Sequence, residues 1–332
     1  MRFKWLAAVA AVAFAGQAQA AEPALVYDLG GKFDKSFNQA AYEGAERFKA
    51  ETGTNYVDFE IQNDSQREQA FRKFARDGHN PVVGTGFSME ASMKKVAAEF
   101  PETQFAIIDM VVDLPNVRSI VFKEEEGSYL VGVLAAMASK SGKVGFVGGM
   151  DIPLIRKFAC GYVQGVKSVN PDIEVIQNMT GDTGAAWNDP VKGGELAKAQ
   201  IEQGADVVYH AAGGTGIGVL QAAADAGVLG IGVDSNQNYL HPGTMLTSML
   251  KRVDNAVYDS FMDAKNGVTG EDWNGIQVLG LGQDGVGWAL DDSNKSLITP
   301  EMQAAVDKAE ADIEAGTIAV HDYMSDSACP VS

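Results

Sequence analysis

Short apolar runs alternate with amphipathic segments along most of the chain, and this alternation is its main structural signal. Runs of four to six residues, rich in Val and Ile, predict strands. Because most are apolar on both sides, the pattern predicts parallel strands that are buried on both faces. The predicted strands are 24–28, 56–61, 81–84, 105–109, 118–122, 143–148, 173–178, 206–210, 230–234, 245–249 and 276–281.

Between these runs, apolar residues recur with the period of an α-helix. The first helix carries one apolar stripe, formed by Phe37, Ala40, Ala41, Gly44, Ala45 and Phe48. Further helices are predicted to begin near Ser65, Ser88, Gly127, Leu154, Asp189, Gly216, Val253 and Pro300. Alternating strands and helices indicate an α/β fold, and the strands are too many for one small sheet. The series divides after 118–122 into two doubly wound, Rossmann-like lobes.

The composition is that of a globular protein with an acidic surface. The 332 residues are 46% hydrophobic, which is enough for two domains with their own cores. The 26 basic and 44 acidic residues give a formal net charge of -18. This balance argues against nucleic acid as a partner, because such a surface needs a basic face.

The N-terminus has the pattern of a cleavable export signal, residues 1–20. Arg2 and Lys4 precede an apolar run, 5–15, and the small residues of 18–20 form a cleavage site. The run is too short to span a bilayer. No cysteine stands at the cleavage point, so a lipid anchor is not indicated. We therefore expect a periplasmic protein whose mature chain begins at Ala21.

The chain contains two cysteines, Cys160 and Cys329. An exported protein with an even number of cysteines can form a disulfide, and the alternative is two unpaired thiols with Cys160 in the core of a helix. The spacing does not choose between these alternatives.

Three aspartates end predicted strands. Asp28, Asp109 and Asp234 follow or close their strands, and glycine-rich segments follow two others, at 84–87 and 211–216. Ligands of doubly wound sheets bind at the carboxyl ends of the strands, so these carboxylates are candidate acceptors for hydroxyl or amine groups. Taken singly, each aspartate is also a common helix N-cap or turn residue.

Motifs for other chemistry fail on inspection. The segment "GGTGIG" lacks the Lys-Ser/Thr of a phosphate-binding loop, and Val219 stands where a dinucleotide-binding fingerprint needs glycine. The four histidines have no metal-ligand spacing, and no nucleophile–base pair is visible. We expect neither a cofactor nor a metal.

Several stretches resemble the basic membrane protein family, the substrate-binding proteins of ABC importers for purine nucleosides. In chain order they are "DLGGKFDKSFNQAAYEG", "FAIID", "EEEGSYLVGVLAA", "GKVGFVGGMDIPLI", "AAGGTGIGV", "GVDSNQ" and "TMLTSMLKRVDNAV". The first and third motifs are the more specific ones. Together the matches run from residue 24 to about 257, and "GTIAV" near the end also fits.

The resemblance implies a type I periplasmic binding protein, with a ligand cleft between two lobes that three crossings connect. We expect the first lobe to contain 21–122 and about 250–280, and the second 123–249 and about 281–332. The implied protein is a monomer and not an enzyme. It would bind a purine nucleoside or nucleobase and deliver it to a membrane permease. The alternatives are a periplasmic nucleoside hydrolase and a sensor protein of the same fold.

The resemblance also implies the ligand contacts. Asp28, Phe37, Asn38 and Asp109 would come from the first lobe, and Asp234 and Lys251 from the later segments. Phe37 would stack on the base, although its place in the apolar stripe also fits a core residue. The second stacking aromatic would be Trp187 or Tyr209, with His210 as a neighbour. Asp234 and Lys251 would hold the ribose and Asp109 the purine edge. Lys251 also fits a surface salt bridge, and Asn236 stands where the family commonly has an acid.

Overall fold

The protein is described by a computed structural model over residues 21–331. The predicted export signal, 1–20, lies outside the described residues. The strands are β1 (Ala24–Tyr27), β2 (Val57–Glu60), β3 (Val82–Thr85), β4 (Phe105–Ile108), β5 (Val117–Phe122), β6 (Lys143–Met150), β7 (Glu174–Gly181), β8 (Val207–Ala211), β9 (Leu229–Asp234), β10 (Met245–Lys251), β11 (Gly275–Leu279) and β12 (Val286–Trp288). The α-helices are α1 (Phe37–Thr52), α2 (Gln66–Arg76), α3 (Glu90–Glu99), α4 (Glu124–Ala138), α5 (Pro153–Val169), α6 (Pro190–Glu202), α7 (Gly216–Ala226), α8 (Val253–Lys265) and α9 (Pro300–Glu314).

The strands form two six-stranded sheets with matching orders. The first sheet has the order β11-β5-β4-β3-β1-β2 and the second β12-β10-β9-β8-β6-β7. Neighbouring strands are parallel in both, except that β12 runs antiparallel to β10. Strands β1 to β5 therefore occupy the same places in one sheet as β6 to β10 occupy in the other. The predicted α/β fold with two doubly wound lobes is confirmed.

Each lobe is a sheet with its own helices. Helices α1, α2, α3 and α8 pack on the first sheet or on one another, and α4, α5, α6, α7 and α9 belong to the second. The chain passes between the lobes after β5, after β10 and after β11. These three crossings lie side by side, since β5, β10, β11 and β12 are at corresponding edges of the two sheets. This arrangement allows the lobes to rotate about the crossings.

The central strands are fully buried, as their sequence predicts, whereas the edge strands β2 and β7 are partly exposed. Helix α4 begins three residues earlier than predicted. Glu124, Glu125 and Glu126 precede the predicted start, but all three are buried in the first turn of the helix. Glu124 and Glu125 face lysines of other elements, and Glu126 pairs with a lysine just before α4, which compensates their charge. Among the described residues, no helix is long and apolar enough to cross a membrane.

The two cysteines form a disulfide. Cys160 lies in α5 and Cys329 in the C-terminal segment, with their Cα atoms 5.6 Å apart. The backbone N–H of His321 also donates to Gln164 of α5, at 2.8 Å. The C-terminal segment is thus held against the outside of the second lobe.

Candidate ligand-binding site

A cavity lies between the carboxyl ends of the two sheets. Both lobes contribute to its walls. The lining residues are Asp28, Leu29, Asp34, Phe37, Asn38, Gly86, Phe87, Asp109, Leu154, Ile155, Phe158, Trp187, Ala211, Gly213, Val233, Asp234 and Lys251.

Asp109 and Asp234 occupy equivalent positions in the two lobes. Asp109 follows β4 and Asp234 ends β9, the matching strand of the second sheet. Both residues have a left-handed backbone, with φ of 72° and 64°. Aspartate tolerates this conformation better than most residues, and such residues are common at functional sites. Burial raises the pKa of each carboxyl from 3.8 to about 6.

Lys251, the last residue of β10, carries the positive charge of the cavity. Its Nζ lies 2.7 Å from the carboxylate of Asp109 and 2.8 Å from Glu124 Oε1. The side chain is only 1% exposed, so the predicted alternative of a surface salt bridge is wrong. Burial alone would lower the pKa of Lys251, but the neighbouring carboxylates raise it well above its usual value. The lysine is therefore charged throughout the physiological range.

Glu124 continues this ion pair into a buried network behind the cavity. Its second carboxylate oxygen lies 3.0 Å from Lys157 Nζ of α5, and Glu125 lies 3.3 Å from the same ammonium group. Lys157 also donates to the carbonyl of Phe122, the last residue of β5, at 2.7 Å. The network therefore joins the cavity to the first crossing between the lobes.

The carboxylate of Asp28 is held by donors of the first lobe. Arg67 of α2 pairs with Oδ1 at 2.9 Å, the backbone N–H of Leu29 donates to the same oxygen, and Ser88 donates to Oδ2 at 2.5 Å. A side chain at Gly86 would clash, because its Cβ would lie 2.6 Å from Oδ2. Asp28 thus lines the cavity in a fixed orientation, with most of its acceptor capacity already used.

The first turn of α1 presents Phe37 to the cavity. The carboxylate of Asp34 caps this helix by accepting from the backbone N–H groups of Ser36, Asn38 and Gln39. Burial raises the pKa of Asp34 to about 6. Asp34 therefore occupies the N–H groups of Asn38 and Gln39 in the first turn, and its negative charge lies where an anion would otherwise bind.

Asn38 lines the cavity, but its amide binds the protein backbone. Its Nδ2 donates to the carbonyls of Asp28 and Gly31, at 3.2 and 3.3 Å, and its Oδ1 accepts from the N–H of Asp28. The amide is therefore committed to the turn after β1. Asn38 thus shapes this turn, and its contact with a ligand stays a prediction.

The aromatic walls come from both lobes. Phe37 stands in the first lobe, and Trp187 and Phe158 stand in the second. Trp187 packs on the backbone of Gly149, where a Cβ would lie 2.3 Å from the indole ring. The ammonium group of Lys251 lies 5.2 Å from the ring centre of Phe37 and 5.5 Å from that of Phe158.

Tyr209 does not line the cavity, contrary to the prediction. It is fully buried in β8, where its ring packs against Phe146 and Tyr162, and its hydroxyl lies 3.2 Å from Ser128 Oγ. Successive residues of a strand point to opposite faces, so a place near a strand end does not bring Tyr209 into the cleft.

Other expectations are refined by the geometry. The glycines of "GGTGIG" serve close packing: a Cβ at Gly216 would lie 1.9 Å from the imidazole of His210, and one at Gly218 would lie 1.8 Å from the carbonyl of Pro190. Asn236 is outside the cavity lining and donates to Asp291 at 2.7 Å.

Sequence reasoning missed several residues of the site. Phe87 is the last residue of the glycine-rich segment 84–87, whose place after a strand could have indicated it. Phe158 and Glu124 lie in helices whose sequence patterns indicate only burial or charge. Arg67 lies in α2 among other basic and acidic residues, and nothing in its spacing distinguishes it from a surface arginine.

Comparisons with known proteins agree with this geometry. Residues 22–321 match the family model of the PnrA-like ABC transporter substrate-binding proteins, Bmp. The chain is 36% identical to the ABC transporter nucleoside-binding protein BmpA of Lactococcus lactis, over 90% of this chain and 88% of that protein. It is 35% identical to the CD4+ T-cell-stimulating antigen of Listeria monocytogenes, over 90% and 87%. The crystal structure of an ABC transporter solute-binding protein from Aeropyrum pernix covers 91% of this chain and 93% of its own, with a TM-score of 0.82 and 29% identity.

The chain therefore belongs to the family of PnrA-like ABC transporter substrate-binding proteins.

Proposed function

We propose that this ABC transporter substrate-binding protein takes up a purine nucleoside or nucleobase in the periplasm and delivers it to a membrane permease. The observation that carries the proposal is one cavity that combines aromatic rings from both lobes with a cluster of buried carboxylates and one lysine. Aromatic rings bind the flat face of a base, typically for about 1–3 kcal/mol per base. Carboxylates and an ammonium group are suited to the hydroxyls of a ribose.

The nucleoside-binding name of the Lactococcus lactis relative supports the same ligand class. Phe37 from the first lobe, with Trp187 or Phe158 from the second, would enclose the base. Closure would bring these walls together, since they belong to different lobes.

The ion pair changes the expected division of the polar contacts. Asp109 and Lys251 are in direct contact, so they would bind the same part of the ligand rather than opposite ends. Asp234 lies near enough to raise the pKa of Asp109 further, which puts it in the same cluster. We assign this cluster of Asp109, Asp234 and Lys251 to the ribose and the aromatic walls to the base.

Calorimetry of the purified protein with inosine, guanosine, adenosine, their free bases and ribose tests the proposal. We expect nucleosides to bind more tightly than the free bases. Asp234→Asn, which removes a charge from the cluster at nearly constant shape, should weaken nucleosides more than bases, whereas Asp292→Asn at an exposed site should change neither. The absence of binding by every purine derivative would refute the proposal.

Two further measurements separate the proposed function from the alternatives of a hydrolase and a sensor. Chromatography of the nucleoside after prolonged incubation with the protein should recover it intact, and release of free base would favour the hydrolase. Deletion of the gene should reduce uptake of labelled nucleoside by cells, and unchanged uptake with intact binding would favour the sensor.

A further inference from the structure

A second set of contacts joins the lobes beside the cavity. The turn Lys35–Ser36 of the first lobe lies against the segment Val233–Gln237 that ends β9 in the second. The hydroxyl of Ser235 donates to the carbonyl of Ser36 at 2.8 Å, and Nε2 of Gln237 donates to the carbonyl of Lys35 at 2.9 Å. The hydroxyl of Ser36 in turn donates to the carboxylate of Asp234. Below, the latch means Lys35, Ser36, Ser235 and Gln237.

The orientation of the Gln237 amide is fixed within the second lobe. Its Oε1 faces the backbone N–H of Val233 at 2.9 Å, and because an N–H can only donate, the atom there must be the oxygen. The amide nitrogen is then left to cross to the first lobe. Gly232 leaves room for this side chain, since a Cβ there would lie 2.6 Å from the amide oxygen.

His210 supports the same orientation. Its Nε2 lies 3.0 Å from the Gln237 oxygen, so the imidazole donates to it from that nitrogen. Burial lowers the pKa of His210 to about 4, which keeps the ring neutral at physiological pH. His210 and Gln237 are both fully buried, so the contacts within the second lobe hold the crossing donor in place.

Ser36, Ser235 and Gln237 lie outside the cavity lining, and of the three only Ser36 bonds to the side chain of a lining residue, Asp234. We propose that the latch sets the equilibrium between open and closed lobes and thereby tunes the affinity for every ligand by the same factor. A protein that closes on its ligand binds with an apparent affinity that falls with the population of the closed form. Loss of a latch bond destabilises only that form, because the open lobes do not make it.

Ser235→Ala is the sharpest test. It removes one crossing donor, and the carbonyl of Ser36 keeps a partner, the backbone N–H of Ala40 at 3.0 Å. The matched control is Ser168→Ala, whose hydroxyl donates to the Gly165 carbonyl at 2.7 Å within α5. A second variant is Gln237→Glu. It keeps an oxygen that accepts from the Val233 N–H and from His210, but it replaces the amide N–H group that donates to the Lys35 carbonyl with a second oxygen.

The affinity measurement rests on the proposed function. We expect Ser235→Ala to weaken inosine, guanosine and adenosine by one common factor, about two- to tenfold, as for one lost hydrogen bond. Gln237→Glu should weaken them further and equally, and Ser168→Ala should have no effect. Factors that differ between ligands, equal losses in the control, or wild-type affinity in both latch variants would overturn the proposal.

A second readout needs no ligand and so separates failure of the latch from failure of the nucleoside proposal. Spin labels at two exposed lysines, Lys49 of the first lobe and Lys198 of the second, report the distance between the lobes. In the unliganded protein, Ser235→Ala and Gln237→Glu should reduce the population with the distance of the closed form. A distribution unchanged from wild type in both variants would overturn the proposal, whichever ligand the protein binds.

Discussion

Replacement of Lys251 by methionine should destabilise the protein strongly even without ligand. The substitution keeps an unbranched side chain that is one atom shorter and removes its charge. Asp109 and Glu124, 2.7 and 2.8 Å from the ammonium group, would then lose a shared buried partner. Removal of one partner from a buried ion pair typically costs about 3–5 kcal/mol. For a chain of this size that corresponds to a decrease in Tm of roughly 5–8 °C.

Thermal unfolding of the ligand-free variant measures this effect, and two further variants define its origin. Lys295→Met removes an exposed lysine that pairs only with Asp292, and it should leave the Tm unchanged. The double variant Lys251→Met/Asp109→Asn removes one of the two orphaned charges and should recover part of the lost stability. If Lys251→Met were as stable as Lys295→Met, the buried network would not have the energetic role that its geometry indicates.

The same variant tests the assignment of the ribose. Lys251 retains donor capacity beyond its two carboxylate partners, and a charged hydrogen bond contributes about 1.5–3 kcal/mol. We therefore expect nucleoside affinity to fall by about tenfold or more, with a smaller loss for the free base. Equal losses for both would show that Lys251 does not read the ribose.

Three other predictions follow from the cavity. Phe37→Ala should weaken nucleosides and free bases alike by about tenfold or more through lost stacking, which calorimetry measures, and a large decrease in ligand-free Tm with unchanged affinity would instead make Phe37 a core residue. Between pH 7 and 5, nucleoside affinity should fall, because Asp109 and Asp234, with pKa values of about 6, become protonated and lose acceptor capacity. Over the same interval the buried carboxyls should raise the Tm of the ligand-free protein, because a folded-state pKa above the unfolded value of 3.8 gives stability that is present at low pH and lost as the pH rises through 6. Asp34, with the same raised pKa, adds to this rise, whereas His210, whose pKa is lowered to about 4, opposes it. Three carboxyls act against one imidazole, so a fall in Tm would contradict the burial of the carboxyls. Inosine 5′-monophosphate should bind at least about tenfold more weakly than inosine in calorimetry. The reason is that Lys251 and Arg67 are already paired with carboxylates and that Asp34 caps α1, so the phosphate would lack a cationic partner. Comparable affinity would show that a cation is free for phosphate.

The sequence predicts the fold well because its signals are local. The buried central strands and the amphipathic helices follow the periodicity of a few neighbouring residues, and most helices begin within two residues of their predicted starts. The predicted start of α4 is wrong for a non-local reason. The burial of Glu124 depends on Lys157 and Lys251, which are distant in the chain. Strand β12 is absent from the predicted strands, because its three residues are too few to show a periodic pattern.

The site is only partly predictable for the same reason. Asp109 and Asp234 are found from the rule that ligands bind at strand ends, because their own strands carry the signal. Tyr209 also stands near a strand end, but the face on which its side chain lies depends on the register of β8 between β6 and β9. For Asn38, the residue type fits a ligand contact, whereas its actual partners are set by the turn that follows β1.

The matching places of Asp109 and Asp234 have a consequence for closure. Two carboxylates that approach each other from opposite lobes repel, and burial makes this repulsion stronger than it is in water. Lys251 reduces it, because the lysine belongs to the second sheet and pairs with the aspartate of the first. The chain leaves the second lobe directly after Lys251, so this residue lies at the start of a crossing between the lobes. In the proposal made above for the latch, the bond of Ser36 with Asp234 belongs to the closed form. Under the two proposals, the latch and a bound ribose favour the same closed form, in which Asp234 would contact both.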